Sequence, residues 1–130
     1  MLFLDRVLSV GAVQVETETT FRTDFLMARD GIISPLVCIE LFAQSAAALM
    51  AHRSALANAP KVSGALLGTR ALICHVPHFV VGDTVRTVAI EVFGVGVLAQ
   101  FECKLYRKTT EGEELAAEGS INVAAGALGN

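Results

Sequence analysis

Residues 34–53 read SPLVCIELFAQSAAALMAHR, and this stretch predicts one long helix around which the chain is organised. Ser34 is expected to cap the N-terminus of the helix, and Pro35 suits the first helical position because its missing N–H has no helical partner to lose. At the other end, His52 and Arg53 bring hydrogen-bond donors and positive charge close to the last carbonyls. Nearly every side of the stretch is apolar, so the helix should be buried on most of its surface.

Glu40 is the most informative residue of this helix, because burying a carboxylate in apolar surroundings carries a large desolvation penalty. Two interpretations are open. Either Glu40 is buried, where desolvation favours the protonated form and makes it a proton donor near neutral pH, or it lies at the helix edge, facing water or an arginine. Gln44 lies one turn further along the same face and would supply the hydrogen-bonding neighbour that a buried carboxyl needs.

Length and composition restrict the class of protein. The 130 residues fit a single domain, residues 1–130, with one core. The chain is 53% hydrophobic and 18% charged, so part of its apolar surface should lie in an oligomer interface. A net charge of −3 and scattered basic residues argue against nucleic-acid binding. Glu40 and Gln44 argue against a membrane span, and the N-terminus shows no signal peptide, which predicts a cytoplasmic protein.

The cysteines and histidines give no sign of a metal site. Cys38, Cys74 and Cys103 lie in apolar segments without a shared spacing, and they are predicted to be reduced thiols in the core. Histidines are few, and Cys74 and His75 are adjacent without the spacing of a metal-binding motif. A structural metal is therefore not expected.

Alternating and β-branched segments predict five strands in addition to the helix. The first strand covers about residues 13–21, and four more follow the helix, at about 64–75 with a bend at Gly68, 85–93, 97–108 and 114–123. Turns are expected at residues 81–84, 94–96 and 109–112, and short turns require antiparallel pairing. These elements predict an α+β fold with an antiparallel sheet wrapped around one helix, and residues 124–130 as a loose tail.

This order of elements resembles the hot-dog fold, and short segments resemble the 3-hydroxyacyl-acyl-carrier-protein dehydratases. LDRV at residues 4–7 resembles the opening segment of that family, and IELFAQ at 39–44 resembles its helix motif. VGD at 81–83 is similar to its PGD turn, and Ala117-Glu118 is similar to part of its final strand. LLGTR at 66–70 and HVP at 75–77 are closer to a dehydratase-like subgroup from aryl-polyene lipid gene clusters. The resemblance covers nearly the whole chain.

The resemblance implies a thioester-binding site at a dimer interface. In that family a histidine removes the proton α to the thioester carbonyl, and a Glu or Asp from the central helix of the other subunit protonates the departing 3-hydroxyl. Backbone N–H groups at the helix start polarise the carbonyl. Glu40 matches the family acid, and Gln44 matches its hydrogen-bonding neighbour. The residues expected to bind substrate are Pro35, Leu36, Leu41 and Phe79, and Phe42 and Phe101 are further candidates, each equally consistent with plain core.

Two departures from the family pattern concern the site itself. The family histidine belongs in the region of residues 25–28, which read FLMA here. Pro35 stands where the family has a glycine whose N–H is used, and proline has no N–H. His75 or His78 could replace the missing base across a dimer, with His75 the named candidate, although a strand or surface position explains either residue equally simply.

Three functions stay open at this point: an active dehydratase with Glu40 as acid and base, a catalytically inactive partner or acyl-binding subunit, and a hot-dog thioesterase. In each case the substrate is carried on the phosphopantetheine of acyl carrier protein or coenzyme A, and no other cofactor is expected. The assembly is expected to be a homodimer, a higher oligomer of dimers, or a heterodimer with an active dehydratase. The arginines that could form a basic rim for an acidic carrier protein are Arg22, Arg29, Arg53 and Arg70.

Overall fold

The computed structural model describes residues 2–58 and 62–127, with the backbone alone for residues 62–65 and 125–127. Nine strands and one helix lie in these ranges. In chain order they are β1 Arg6–Val10, β2 Gln14–Thr20, β3 Ala28–Arg29, β4 Ile32–Ile33, α1 Val37–Leu56, β5 Val62–Cys74, β6 Phe79–Val80, β7 Thr84–Val95, β8 Leu98–Thr109 and β9 Gly112–Ala127.

Six of these strands form one antiparallel sheet in the order β1-β2-β7-β8-β9-β5. The three shortest strands form a second small sheet in the order β3-β4-β6. Helix α1 contacts all six strands of the large sheet. The predicted α+β fold, an antiparallel sheet around one helix, is therefore confirmed, and the strands β1 and β5 form the two edges of the sheet.

The core lies between α1 and the inner face of the large sheet. Inward-pointing residues alternate along the strands, as in β2, where Val15, Thr17 and Thr19 are buried while the glutamates between them are partly exposed. The buried residues of the helix are Val37, Cys38, Leu41, Phe42, Ser45, Ala46, Leu49 and Met50. The expectation that the helix is buried on most of its surface is confirmed, and the exposed residues Glu40 and Ala51 mark the face that points away from the sheet.

The helix begins two residues later than predicted and ends three residues later. Its first residue is Val37 rather than Pro35, and it continues past Arg53 to Leu56. Asn58, with a φ of 51°, adopts the left-handed conformation that commonly follows a helix C-terminus. Arg53 does not bind the last carbonyls as predicted. Its guanidinium donates to the carbonyl of Ala12 at 2.7 Å and to Glu91 at 2.9 Å, because these groups lie beside the last helical turn.

The strand predictions need three corrections. The short strands β3, β4 and β6 were not predicted. Strand β1 was not expected, since its residues are mostly exposed at the sheet edge and show no alternating burial. Residues 124–127 were predicted to be a loose tail, but they belong to β9, which pairs with the start of β5; residues 128–130 lie outside the described residues. The irregularity predicted at Gly68 is confirmed, because the register between β5 and β9 shifts between Leu66 and Gly68.

Candidate active site

The start of α1 is built without a side-chain cap. Leu36 is the N-cap residue, and Ser34 instead accepts a hydrogen bond from the Leu36 N–H at 3.2 Å, so the prediction that Ser34 caps the helix is corrected. The next three N–H groups turn back onto carbonyls three residues earlier. The bonds are Val37 to Ser34 at 3.1 Å, Cys38 to Pro35 at 3.0 Å and Ile39 to Leu36 at 3.1 Å.

This pattern of bonds has a direct chemical consequence. Pro35 has no N–H, and each N–H from Leu36 to Ile39 already donates within the chain. A helix N-terminus binds anions and polarises carbonyls through N–H groups that have no intrahelical partner. In this chain those donors are engaged, so the helix start offers no ready oxyanion site among residues 35–39.

Glu40 lies on the helix face that points away from the sheet, and its side chain is exposed. Of the two interpretations of Glu40, the structure of the single chain therefore matches the one at the helix edge, and not burial within the chain. Its carboxylate is held by one neighbour: the Gln44 Nε2 donates to Glu40 Oε1 at 2.8 Å. The predicted pairing of Glu40 with Gln44 across one helical turn is thus observed.

The orientation of the Gln44 amide is set by the N-terminal segment. The backbone N–H of Phe3 donates to Gln44 Oε1 at 2.7 Å, which leaves the NH₂ end to face Glu40. The Phe3 ring packs on Phe25, with 4.7 Å between ring centroids, and Phe25 packs on Phe21 at 4.9 Å. Phe21 is fully buried, so this aromatic chain anchors the N-terminal segment to the core.

Residues 2–7 and the helix enclose a groove that the sequence did not predict. The groove has a volume of about 600 Å³ and runs over the helix surface beside Gln44. Its lining residues are Leu2, Leu4, Asp5, Arg6, Val7, Gln44, Ala47 and Ala48. The available signal was the pair of alanines that follows Gln44 on the same side of the helix, because small side chains leave space above a helix surface.

None of the described contacts brings a histidine to Glu40. The His75 Nε2 lies 2.8 Å from Glu118 Oε2, and the His75 N–H donates to the carbonyl of Ala116, so His75 belongs to the end of β5 and its partner β9. His52 lies on α1 itself, 12 residues beyond Glu40, which is about 18 Å along a helix. The region 25–28 carries the Phe25 ring described above in place of the family histidine.

The residues expected to bind substrate lie in different environments. Pro35 is half-buried and Leu36 is exposed at the helix start, next to Glu40 in the chain. Leu41 and Phe79 are fully buried in the core, as are Phe42 and Phe101. In the single chain these four side chains therefore pack the interior, and their role in substrate binding stays a prediction.

Two of the three cysteines are buried and unsuited to act as nucleophiles. Burial raises the pKa of both Cys38 and Cys103 to about 12, so both thiols are protonated at neutral pH. Cys74 is exposed near the end of the edge strand β5, which corrects the prediction that all three are core thiols. Among the described residues, no cluster of three or more His, Cys, Asp or Glu side chains is arranged to hold a metal ion.

The arginines predicted to form a basic rim lie in different environments. Arg53 is engaged by Glu91, and Arg70 donates to Gln100 at 2.7 Å. Arg22 and Arg29 are exposed. Within the described residues, no helix combines the length and the apolarity that crossing a membrane requires.

The antiparallel sheet wrapped around one central helix defines a hot-dog protein. The dehydratase heterocomplex ApeI:P from Xenorhabdus doucetiae aligns with a TM-score of 0.87 at 21% identity, covering 98% of this chain and 84% of the matched chain. A hypothetical thioesterase with coenzyme A from Streptococcus pneumoniae aligns with a TM-score of 0.70 at 9% identity, covering 94% and 85%. The protein smu.793 from Streptococcus mutans, bound to acetyl CoA, aligns with a TM-score of 0.70 at 10% identity, covering 98% and 93%.

The family is shown by the match to a family model. Residues 1–127 match the model of the ApeP-like family, described as ApeP dehydratase. The chain belongs to this dehydratase family, which confirms the resemblance seen in the sequence. A search of curated proteins found no match.

Proposed function

We propose that this chain is the carboxylate-bearing subunit of a 3-hydroxyacyl thioester dehydratase, with Glu40 as the acid that protonates the departing hydroxyl. The observation that carries the proposal is the exposed Glu40 carboxylate, positioned by Gln44 at the start of the central helix. Membership of the dehydratase family supports it.

The reaction assigned to the site is the elimination of water. A base removes the proton on C2, next to the thioester carbonyl, and the electrons of that C–H bond form the C2–C3 double bond. The bond between C3 and the hydroxyl oxygen breaks as Glu40 donates a proton to that oxygen, and water leaves. The product is an enoyl thioester. The proton that the base has taken up then passes through water to Glu40, which is protonated again for the next cycle.

We propose that a second hot-dog subunit supplies the catalytic histidine and the free backbone N–H groups that the site around Glu40 needs. The sequence has no histidine at the family position, and the N–H groups at the helix start are already engaged. A partner with both would complete a site around Glu40. The only described pairing of β5 is with β9, so its other edge is open to pairing with a second subunit. The matched heterocomplex from Xenorhabdus doucetiae supports a heterodimer over a homodimer.

Two further parts of the proposal follow from the sequence. The acyl group is carried on the phosphopantetheine of acyl carrier protein or coenzyme A, without another cofactor, and the protein acts in the cytoplasm. The experiment below uses both carriers, because nothing about Glu40 or Gln44 distinguishes them.

The test is turnover of a 3-hydroxyacyl thioester, followed by mass spectrometry, with the chain alone and with the chain co-expressed with a histidine-bearing hot-dog subunit from the same genome. We expect enoyl product from the heterocomplex only, and its loss on Glu40→Gln. The matched control is Glu102→Gln, which removes an exposed carboxylate from the outer face of the sheet. Chromatography of each variant with the partner verifies that the complex still forms.

Each other outcome contradicts a defined part of the proposal. Undiminished product from Glu40→Gln removes the acid role of Glu40. Product from the chain alone removes the need for a second subunit. Free thiol without enoyl product indicates a thioesterase, and the absence of any product from either form indicates a non-catalytic acyl-binding subunit.

A further inference from the structure

We infer that the groove between residues 2–7 and α1 binds the apolar chain of the acyl substrate, with Gln44 at the end nearest the reacting group. This inference rests on the proposed function, because it takes Glu40 as the reacting end. It assigns the chain to a groove within one subunit, formed by the N-terminal segment, rather than to the buried residues Leu41 and Phe79.

The groove presents a mainly apolar surface, because its charged lining residues are bound to other parts of the chain. The leucines and the valine of the N-terminal segment face the two alanines of the helix. Two charged residues also contribute, but their charged groups are engaged elsewhere. The Asp5 Oδ2 accepts the N–H of Thr20 at 2.6 Å, and the Arg6 guanidinium lies 3.0 Å from Glu18. A hydrocarbon chain therefore meets carbon surface along the groove, which suits an uncharged ligand.

The wall of the groove is anchored at both ends. The Phe3 N–H donates to Gln44, and the Phe3 ring packs on Phe25. At the other end of the segment, β1 pairs with β2 from Arg6 onward, and the Asp5 N–H donates to the Glu18 carbonyl at 2.9 Å. The segment that covers the groove is thus held by main-chain bonds on either side, and a ligand would enter a site that is already formed.

One end of the groove lies beside Glu40, the proposed acid. Gln44 lines it and donates to Glu40 at 2.8 Å. Ala48 lies eight residues beyond Glu40, which is about 12 Å along the helix axis. A volume of about 600 Å³ lies within the range of small-molecule sites. The arrangement would accept a chain of medium length that runs from Glu40 toward the C-terminal half of α1.

A second groove on the molecule does not fit the same ligand. It has a volume of about 500 Å³ on the outer face of the sheet, on the side opposite α1, and its lining includes Glu102, Lys104 and Glu118. Apolar residues such as Ile73, Val88 and Ile90 also line it, but its place across the sheet from α1 separates it from Glu40. The groove beneath the N-terminal segment, by contrast, is continuous with the candidate site through Gln44.

The test is the affinity of the heterocomplex for butanoyl, hexanoyl, octanoyl and decanoyl pantetheine, measured by calorimetry. Each methylene that enters the groove should tighten binding by about fourfold, which corresponds to about 0.8 kcal/mol. Ala48→Phe fills the groove and should remove this dependence on chain length, and Ala47→Leu should reduce it by a smaller change in volume. Ala55→Phe is the matched control, because Ala55 is exposed on the same helix outside the groove.

The results separate this inference from the proposed function. If the affinity does not rise with chain length in the wild-type complex, or rises equally in Ala48→Phe and Ala47→Leu, the groove does not hold the chain, whatever the turnover assay shows. If the affinity rises and both groove variants flatten it while Glu40→Gln keeps full activity, the acyl groove stands and the role of Glu40 fails. Chromatography with the partner shows whether each variant still forms the complex. If Ala48→Phe does not, the dependence of affinity on chain length in Ala47→Leu decides the outcome.

Discussion

Replacing Ser45 with alanine removes a buried hydrogen bond between α1 and the sheet. The Ser45 and Thr17 hydroxyl oxygens lie 2.8 Å apart, and both side chains are fully buried. The Thr17 hydroxyl would keep its place in the core without its partner, which costs about 1–3 kcal/mol. Alanine has the higher helix propensity and recovers roughly 0.5 kcal/mol. The free energy of unfolding should therefore fall by about 0.5–2.5 kcal/mol.

The assay is urea denaturation of Ser45→Ala, Thr17→Val and the double variant, at one fixed protein concentration because an oligomer couples stability to concentration. Valine keeps the branched shape of threonine and removes the hydroxyl. The double variant leaves neither hydroxyl unpaired, so its loss of stability should be smaller than the sum of the two single losses. The reasoning is refuted if the single variants are as stable as the wild type, or if their losses simply add.

Three further predictions concern stability. Thr19→Val should raise the free energy of unfolding in urea denaturation by up to roughly 1 kcal/mol, because the buried Thr19 hydroxyl has no hydrogen-bond partner in the part of the chain that the structure describes. Gly119→Ala should destabilise the pairing of β5 with β9 by about 1–3 kcal/mol, since a Cβ there would lie 2.3 Å from a carbonyl oxygen of β5. Gly68→Ala is the control: its Cβ meets no atom within 4 Å, so the urea midpoint should change far less. Hydrogen bonds from Arg86 hold the pKa of Glu113 below its ordinary value of 4.5, so the stabilisation is present above that value and is lost as the pH falls below it. Glu113→Gln should therefore flatten the acid limb of a plot of urea midpoint against pH; an unchanged limb would show that the Arg86 contact contributes nothing.

Local patterns accounted for most of the fold. The alternating strands and the apolar helix were predicted because their periodicity depends on neighbours in the sequence, and Glu40 and Gln44 were paired correctly because a helix brings residues four apart together. The helix end was misplaced because the residue that stops it, Asn58, acts through a left-handed backbone conformation rather than through a charge. The exposure of Glu40 could not be predicted, since it depends on which face of α1 the distant strands cover.

The wall of the groove was beyond sequence reasoning for a different reason. The contact that positions Gln44 comes from the main-chain N–H of Phe3, which lies 41 residues away and would be present with almost any residue at that position. A backbone N–H cannot be recognised as a functional donor from the sequence, because every residue except proline has one. For Phe79, which is fully buried in the single chain, sequence reasoning leaves two roles open, because an aromatic residue near a candidate site suits a substrate tunnel and a packed core equally well.

The contacts of Gln44 restrict which amino acid can occupy position 44. Its side chain must accept a hydrogen bond at one terminal atom, from Phe3, and donate one at the other, to Glu40. An ionised glutamate offers only acceptors, lysine and arginine offer only donors, and asparagine is one methylene too short. Glu40, Gln44 and the backbone N–H of residue 3 therefore form a chain of two hydrogen bonds. Replacing Phe3 with proline removes the N–H and breaks the first bond, while both side chains of the helix stay unchanged.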